Sequence, residues 1–85
     1  MPCAIISAEV IAMETTGMRL YRLRRRQRPD LSARRASVDI GLATNSLARY
    51  ERDAVLPDVD SLLKLADYYD VSCDFILLRT DDPKR

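Results

Sequence analysis

The sequence predicts an all-α fold, and three observations predict it. Apolar residues recur at helical spacing in successive stretches, and no stretch carries the two-residue alternation of a strand. Gly41 interrupts the middle of the chain between two short segments whose apolar residues face one another. Eighty-five residues make one domain, near the lower size at which a chain folds without disulfides or metals. An apolar content of 47% suffices for a single small core and argues against disorder.

Residues 1–17 read as an N-terminal extension. Ala4, Ile5, Ala8, Ile11 and Ala12 recur there at helical spacing, with Ser7, Glu9 and Glu14 off that face. The segment is a helix covering the domain, a dimer arm, or a stretch that does not pack. Thr15-Thr16-Gly17 punctuates the chain. A first helix follows over 18–28, with Leu20 and Leu23 inward and arginines around the rest. Pro29-Asp30 stops it, because a residue preceding proline disfavours the helix. Ser32 is a good N-cap for a second helix running to Ile40.

The third helix runs from about Thr44 to about Arg52, with a weakly capped start because Ala43 precedes it. Ala36, Ile40, Leu42, Leu47 and Tyr50 are the inward positions of the second and third helices. Gly41 stands where the connecting turn needs positive φ without a Cβ. Ser37 is small enough to let the two helices approach. After the loop 53–58 a fourth helix begins, with Asp58, Asp60 and Ser61 as capping candidates. Val59, Leu62, Leu63, Ala66 and Tyr69 form its apolar stripe. Ser72 caps a short fifth helix through Cys73, Phe75, Ile76 and Leu77. Residues 18–79 therefore form the domain, and 80–85 a polar C-terminal tail.

Two short helices crossing steeply over a tight turn make the helix-turn-helix, a unit that reads DNA. Charge agrees with that reading. The net charge is +1, but ten arginines face only three acids between Arg19 and Arg52, a local balance of +7. From Asp53 onward four cations face eight aspartates, a balance of −4. A basic half that carries the motif and an acidic half that does not is the asymmetry of a DNA reader.

Other chemistries are poorly supplied. There is no histidine, and Cys3 and Cys73 fit neither a zinc-ligand spacing nor a disulfide framework. Cys73 reads as a small buried hydrophobe. No nucleophile has a base beside it in sequence, so the expectation is no enzyme, no cofactor and no metal. The 4–13 run contains Glu9 and is too short to span a membrane, so no membrane partner is expected. A reducing, cytoplasmic compartment is the default for such cysteine usage.

Leu31-Ser32, Gly41, and Leu47-x-Arg49-Tyr50-Glu51-Arg52 resemble the Cro/CI-repressor-type helix-turn-helix proteins, the XRE family. The later stretches Pro57-x-x-x-Ser61-Leu62-Leu63-Lys64-Leu65-Ala66 and Val71-Ser72-x-Asp74-Phe75-Ile76-Leu77 extend the resemblance over residues 18 to 83. It implies a compact five-helix, lambda-repressor-like DNA-binding domain, usually a homodimer on a palindromic operator in double-stranded DNA. The implied setting is bacterial or phage-encoded and nucleoid-associated.

The resemblance matches Thr44, Asn45, Ala48 and Arg49 to base-reading positions. Arginine can bridge guanine O6 and N7, and asparagine adenine N6 and N7. Asn45 is alternatively a helix cap, and Arg49 alternatively a phosphate contact. Ser32, Arg34, Arg35, Ser46 and Arg52 are the phosphate candidates, around a helix N-terminus that attracts anions. Glu51 pairs in the family with an arginine of the first helix, here Arg24, Arg25 or Arg26, and Tyr50 belongs in the core. Ala33 stands where the family commonly has a phosphate-touching glutamine. Asp53, Asp70 and Leu78 replace three family glycines, and Leu78 implies that the fifth helix continues or exposes an apolar contact.

The expected function is a sequence-specific transcriptional regulator acting as a repressor. The alternative is an antitoxin-type interaction protein, binding a protein partner through residues 1–17 and autoregulating its operon.

Overall fold

The computed structural model describes residues 14–85, and among them five helices and no strand. They are α1 (Thr16–Gln27), α2 (Ala33–Ile40), α3 (Ser46–Glu51), α4 (Val59–Tyr69) and α5 (Cys73–Ile76). The stripe of Ala4, Ile5, Ala8, Ile11 and Ala12 lies outside the described residues. None of the described helices is long and apolar enough to cross a membrane.

α1 starts at Thr16 rather than at residue 18, which corrects the expected punctuation. Thr15 is its N-cap, with Oγ1 accepting the Met18 N–H at 3.1 Å. Asp53 adds a second cap from a distance. Its Oδ1 accepts the Gly17 N–H at 3.0 Å and its Oδ2 accepts the Thr15 hydroxyl at 2.6 Å. Gly17 is therefore inside a helix and serves close approach. A Cβ there would stand 2.5 Å from the carbonyl oxygens of Tyr50 and Glu51, which α1 crosses.

The core joins all five helices through Leu20, Leu23, Leu31, Ala36, Leu47, Leu65, Ala66, Tyr69, Val71 and Ile76. α4 is rotated from its expected face. Leu62, Ala66 and Tyr69 pack inward as the stripe requires, but Leu65 is the fully buried leucine. Val59 and Leu63 are 74% and 53% exposed. Three leucines within four residues make the stripe too broad for spacing alone to choose its centre. Asp58 and Ser72 cap α4 and α5 as the sequence predicts, accepting the Ser61 and Phe75 N–H groups at 2.8 and 3.0 Å. Cys73 is only half-buried, against the core rather than within it.

Three non-glycine residues occupy the left-handed region: Asp53 (φ 60°), Asp70 (φ 55°) and Leu78 (φ 66°). These are the positions where the family pattern has glycine. Aspartate adopts this conformation more readily than most residues. Leu78 does not continue α5, which ends at Ile76, and its side chain is 38% exposed.

Arg19 is the largest departure from the outward arginines expected of α1. It is 7% exposed, with its guanidinium carbon 4.3 Å from the Phe75 ring centroid. Nη1 donates to the carbonyls of Phe75 and Thr80 at 2.9 and 2.8 Å. Nη2 meets Glu14 at 2.8 Å and Asp81 at 3.2 Å. Hydrogen bonding to Glu14 raises its pKa above the ordinary arginine value, against the opposing effect of burial. Residues 80–85 are polar but attached: the Ser72 N–H donates to Pro83 O at 3.0 Å, and Arg85 meets Asp67 at 2.5 Å.

Candidate nucleic-acid interface

Local sequence builds the α2–turn–α3 unit. The Ser32 hydroxyl caps α2 by accepting the Arg35 N–H at 3.1 Å. Gly41 ends α2 at φ 95°, its N–H donating to the carbonyls of Ser37 and Val38. A Cβ on Gly41 would meet nothing within 4 Å, so backbone conformation alone calls for glycine here. Gly17 and Gly41 thus meet opposite needs, close approach at one and a left-handed backbone at the other.

α3 lacks a cap of its own. Asn45 occupies the N-cap position without a side-chain hydrogen bond to the helix. Instead the fully buried Ser37 hydroxyl accepts the Leu47 N–H at 3.0 Å. The small size of Ser37 is legible in the sequence, but this capping role is not. An unfilled cap at the start of α3 was the signal that a hydroxyl from elsewhere was needed.

α3 begins at Ser46, so Thr44 and Asn45 lie on the turn leading into it. Thr44, Asn45 and Arg49 are exposed and Ala48 is half-buried. These four share the N-terminal end and first turn of α3. Asn45 makes no capping bond, so its amide is not committed to the helix. The Arg49 side chain forms no ion pair among the described residues.

Of the phosphate candidates, Ser32 and Arg34 stand at the start of α2, where backbone N–H groups are free. Arg35 is exposed nearby and shares a surface pair with Asp39 at 3.4 Å. Ser46 is half-buried at the first position of α3. Arg52 is the C-cap of α3, at the opposite end of that helix from Asn45. A six-residue helix is about 9 Å long, so Arg52 serves a different part of the surface.

Behind this surface Glu51 is clamped by Arg24, the one of the three candidate arginines that reaches it. Arg24 Nε and Nη2 donate to its two carboxylate oxygens at 2.8 and 2.9 Å. Arg24 Nη1 also donates to the Leu31 carbonyl at 2.5 Å, just before the Ser32 cap. Both side chains are nearly buried, at 11% and 8% exposure. The pair to Glu51 raises the Arg24 pKa beyond its ordinary value. One guanidinium thereby ties α1 to the end of α3 and the start of α2. Tyr50 is half-buried beside it and packs against the core. Tyr69 is buried near this pair, and its hydroxyl has no hydrogen-bond partner among the described residues.

Comparison with known proteins agrees with this geometry. Residues 22–76 match the helix-turn-helix family. The chain is 37% identical over 60 residues to the HTH-type transcriptional regulator ImmR of Bacillus subtilis, covering 71% of this chain and 47% of the relative. It is 42% identical over 65 residues to YobD, an uncharacterised HTH-type transcriptional regulator of Bacillus subtilis, covering 76% and 56%. It therefore spans about half the length of these relatives. Among solved structures, the P22 c2 repressor in complex with a synthetic operator superposes with a TM-score of 0.69. That match covers 76% of this chain and 96% of the repressor chain, and at 20% identity the likeness is one of fold. With the motif, the five helices and the matched residues in agreement, the chain belongs to the Cro/CI-repressor-type helix-turn-helix (XRE) family.

Proposed function

We propose that this chain is a sequence-specific DNA-binding transcriptional regulator, acting as a repressor, with α3 in the major groove. The observation that carries the reading is the contrast around α3. Thr44, Asn45 and Arg49 stand exposed with their polar groups uncommitted among the described residues, while α3 behind them is tied to α2 through Ser37 and to α1 through Glu51 and Arg24. A rigidly mounted helix with free donors at its leading end suits base reading. The P22 c2 repressor, which shares the fold, was solved on an operator.

Arg49 reads guanine and Asn45 adenine, each contact discriminating by about 1–3 kcal/mol. Ala48 offers at most an apolar surface to a thymine methyl. Ser32, Arg34, Arg35, Ser46 and Arg52 hold the backbone on either side. About four phosphates neutralised per domain would give a slope of log K against log salt near −3.6, and a dimer would double it. A dimer is the functional form in this reading, because one short helix spans few base pairs. The exposed Leu77 and Leu78 offer one apolar surface for it. Such a protein works in the cytoplasm, on the nucleoid.

Selection of bound duplexes from a random-sequence pool tests the proposal. An enriched palindrome supports a dimeric reader, and retention without enrichment sinks it.

A further inference from the structure

The arginines of α1 are divided between two flanks. On one flank Arg19, Arg22 and Arg26 border a cavity of about 180 Å³ with Glu14, Leu23 and Phe75. Glu14 there pairs with both Arg19 and Arg22. On the other flank Gly17 and Arg24 lie against the end of α3. Exposed Tyr21 stands on this second side, its ring centroid 5.3 Å from the guanidinium carbon of Arg24 and 5.9 Å from that of Arg25.

Arg24 connects this flank to the start of α2 by its bond to the Leu31 carbonyl. Arg28, the C-cap of α1, reaches the same place through its own carbonyl, which accepts the Leu31 N–H at 3.0 Å. Arg25 and Arg28 are both exposed, and neither forms an ion pair among the described residues. Both belong to the flank of α1 whose Arg24 and Arg28 bond to Leu31, the residue just before the Ser32 cap of α2. Two unneutralised guanidinium groups there extend the positive potential of the α2 end, and an aromatic face restrains one of them.

We propose that this flank of α1 is a second phosphate-holding edge. Arg25 and Arg28 grip the DNA backbone next to the contact made at the start of α2, and Tyr21 positions Arg25 by stacking. The proposal rests on the DNA-binding reading above and lengthens its footprint beyond the base and phosphate contacts named there. The edge carries affinity and no sequence preference, since it meets only phosphate.

The test is the salt dependence of binding to a short mixed-sequence duplex, measured by fluorescence anisotropy on the full chain. Arg25→Ala and Arg28→Ala should each flatten the log–log slope by about 0.9. Arg26→Ala removes the same charge from the cavity-lining flank and should leave the slope unchanged. Tyr21→Ala should behave like Arg25→Ala, and Tyr21→Phe should restore the wild-type slope. A flattening by Arg26→Ala equal to that of Arg25→Ala would mean that only net charge matters, and would overturn the proposal. So would unchanged slopes for Arg25→Ala and Arg28→Ala. A wild-type chain that does not bind the duplex would remove the DNA-binding reading itself, together with this one.

Discussion

Arg19 and Arg24 direct their guanidinium groups into the molecule, whereas Arg34, Arg49 and Arg52 form no ion pair within the described chain. The first two direct most of their donors to carbonyls of Phe75, Thr80 and Leu31 and to the carboxylates of Glu14, Asp81 and Glu51. The others stand exposed at the ends of α2 and α3. One residue type thus does two jobs, set by where the fold places an acid. Neutralised arginines lock α1 to its neighbours and add little field outside. Unneutralised ones leave a positive surface for a polyanion.

The largest expected effect is on the locked side. Glu51→Ala leaves Arg24 charged and nearly buried without its partner, and should cost about 3–5 kcal/mol in urea unfolding. Asp39→Ala breaks the exposed pair with Arg35 and should change stability by less than about 1 kcal/mol. Equal losses from the two would erase the distinction between the regions. Next comes Ser37→Ala, which strands the buried Leu47 N–H and should cost about 1–3 kcal/mol. Hydrogen exchange at Leu47 should quicken more than at Leu65, because the lost bond is local to α3.

Smaller effects should raise stability. Tyr69→Phe removes a buried hydroxyl that has no partner among the described residues and should gain about 1 kcal/mol. It also carries a pH signature. Burial first, and the Glu51 charge second, push the Tyr69 pKa above its ordinary value of 10.0. The folded state therefore retains a proton that the unfolded chain releases above pH 10, and its stability falls as pH rises beyond that point. The Phe variant should lose this part of the alkaline decline. An unchanged alkaline titration would show that Tyr69 is not held neutral by the fold. Leu78→Gly should gain about 1 kcal/mol by releasing a left-handed leucine. A loss instead would mean that the partly exposed side chain contributes more than the backbone strain costs.

Much of the scaffold was legible where one residue has one local role. Ser32, Asp58 and Ser72 cap the helices that follow them, and Gly41 takes the left-handed turn. Asp53, Asp70 and Leu78 adopt positive φ at the positions where the family has glycine. What was not legible depends on partners distant in sequence. Arg19 looks like any surface arginine until Glu14, Asp81 and two carbonyls converge on it. Asp53 reads as a turn residue, yet also caps α1 from 36 positions away. Leu63 and Leu65 have equal hydropathy, and only packing against the other helices decides which is buried. In the candidate interface, the sequence indicated which residues flank α3. It did not reveal that Asn45 leaves the capping role to Ser37.

In the function proposed above, the arginines left unpaired around α3 hold DNA, and Arg49 is the reader among them. The most direct test measures Arg49→Ala against wild type on two duplexes, the pool-selected site and a mixed-sequence control. If Arg49 reads a base, preference for the selected site shrinks by about 1–3 kcal/mol, while affinity for the control changes little. An equal loss on both duplexes would make Arg49 a phosphate contact and contradict the claim.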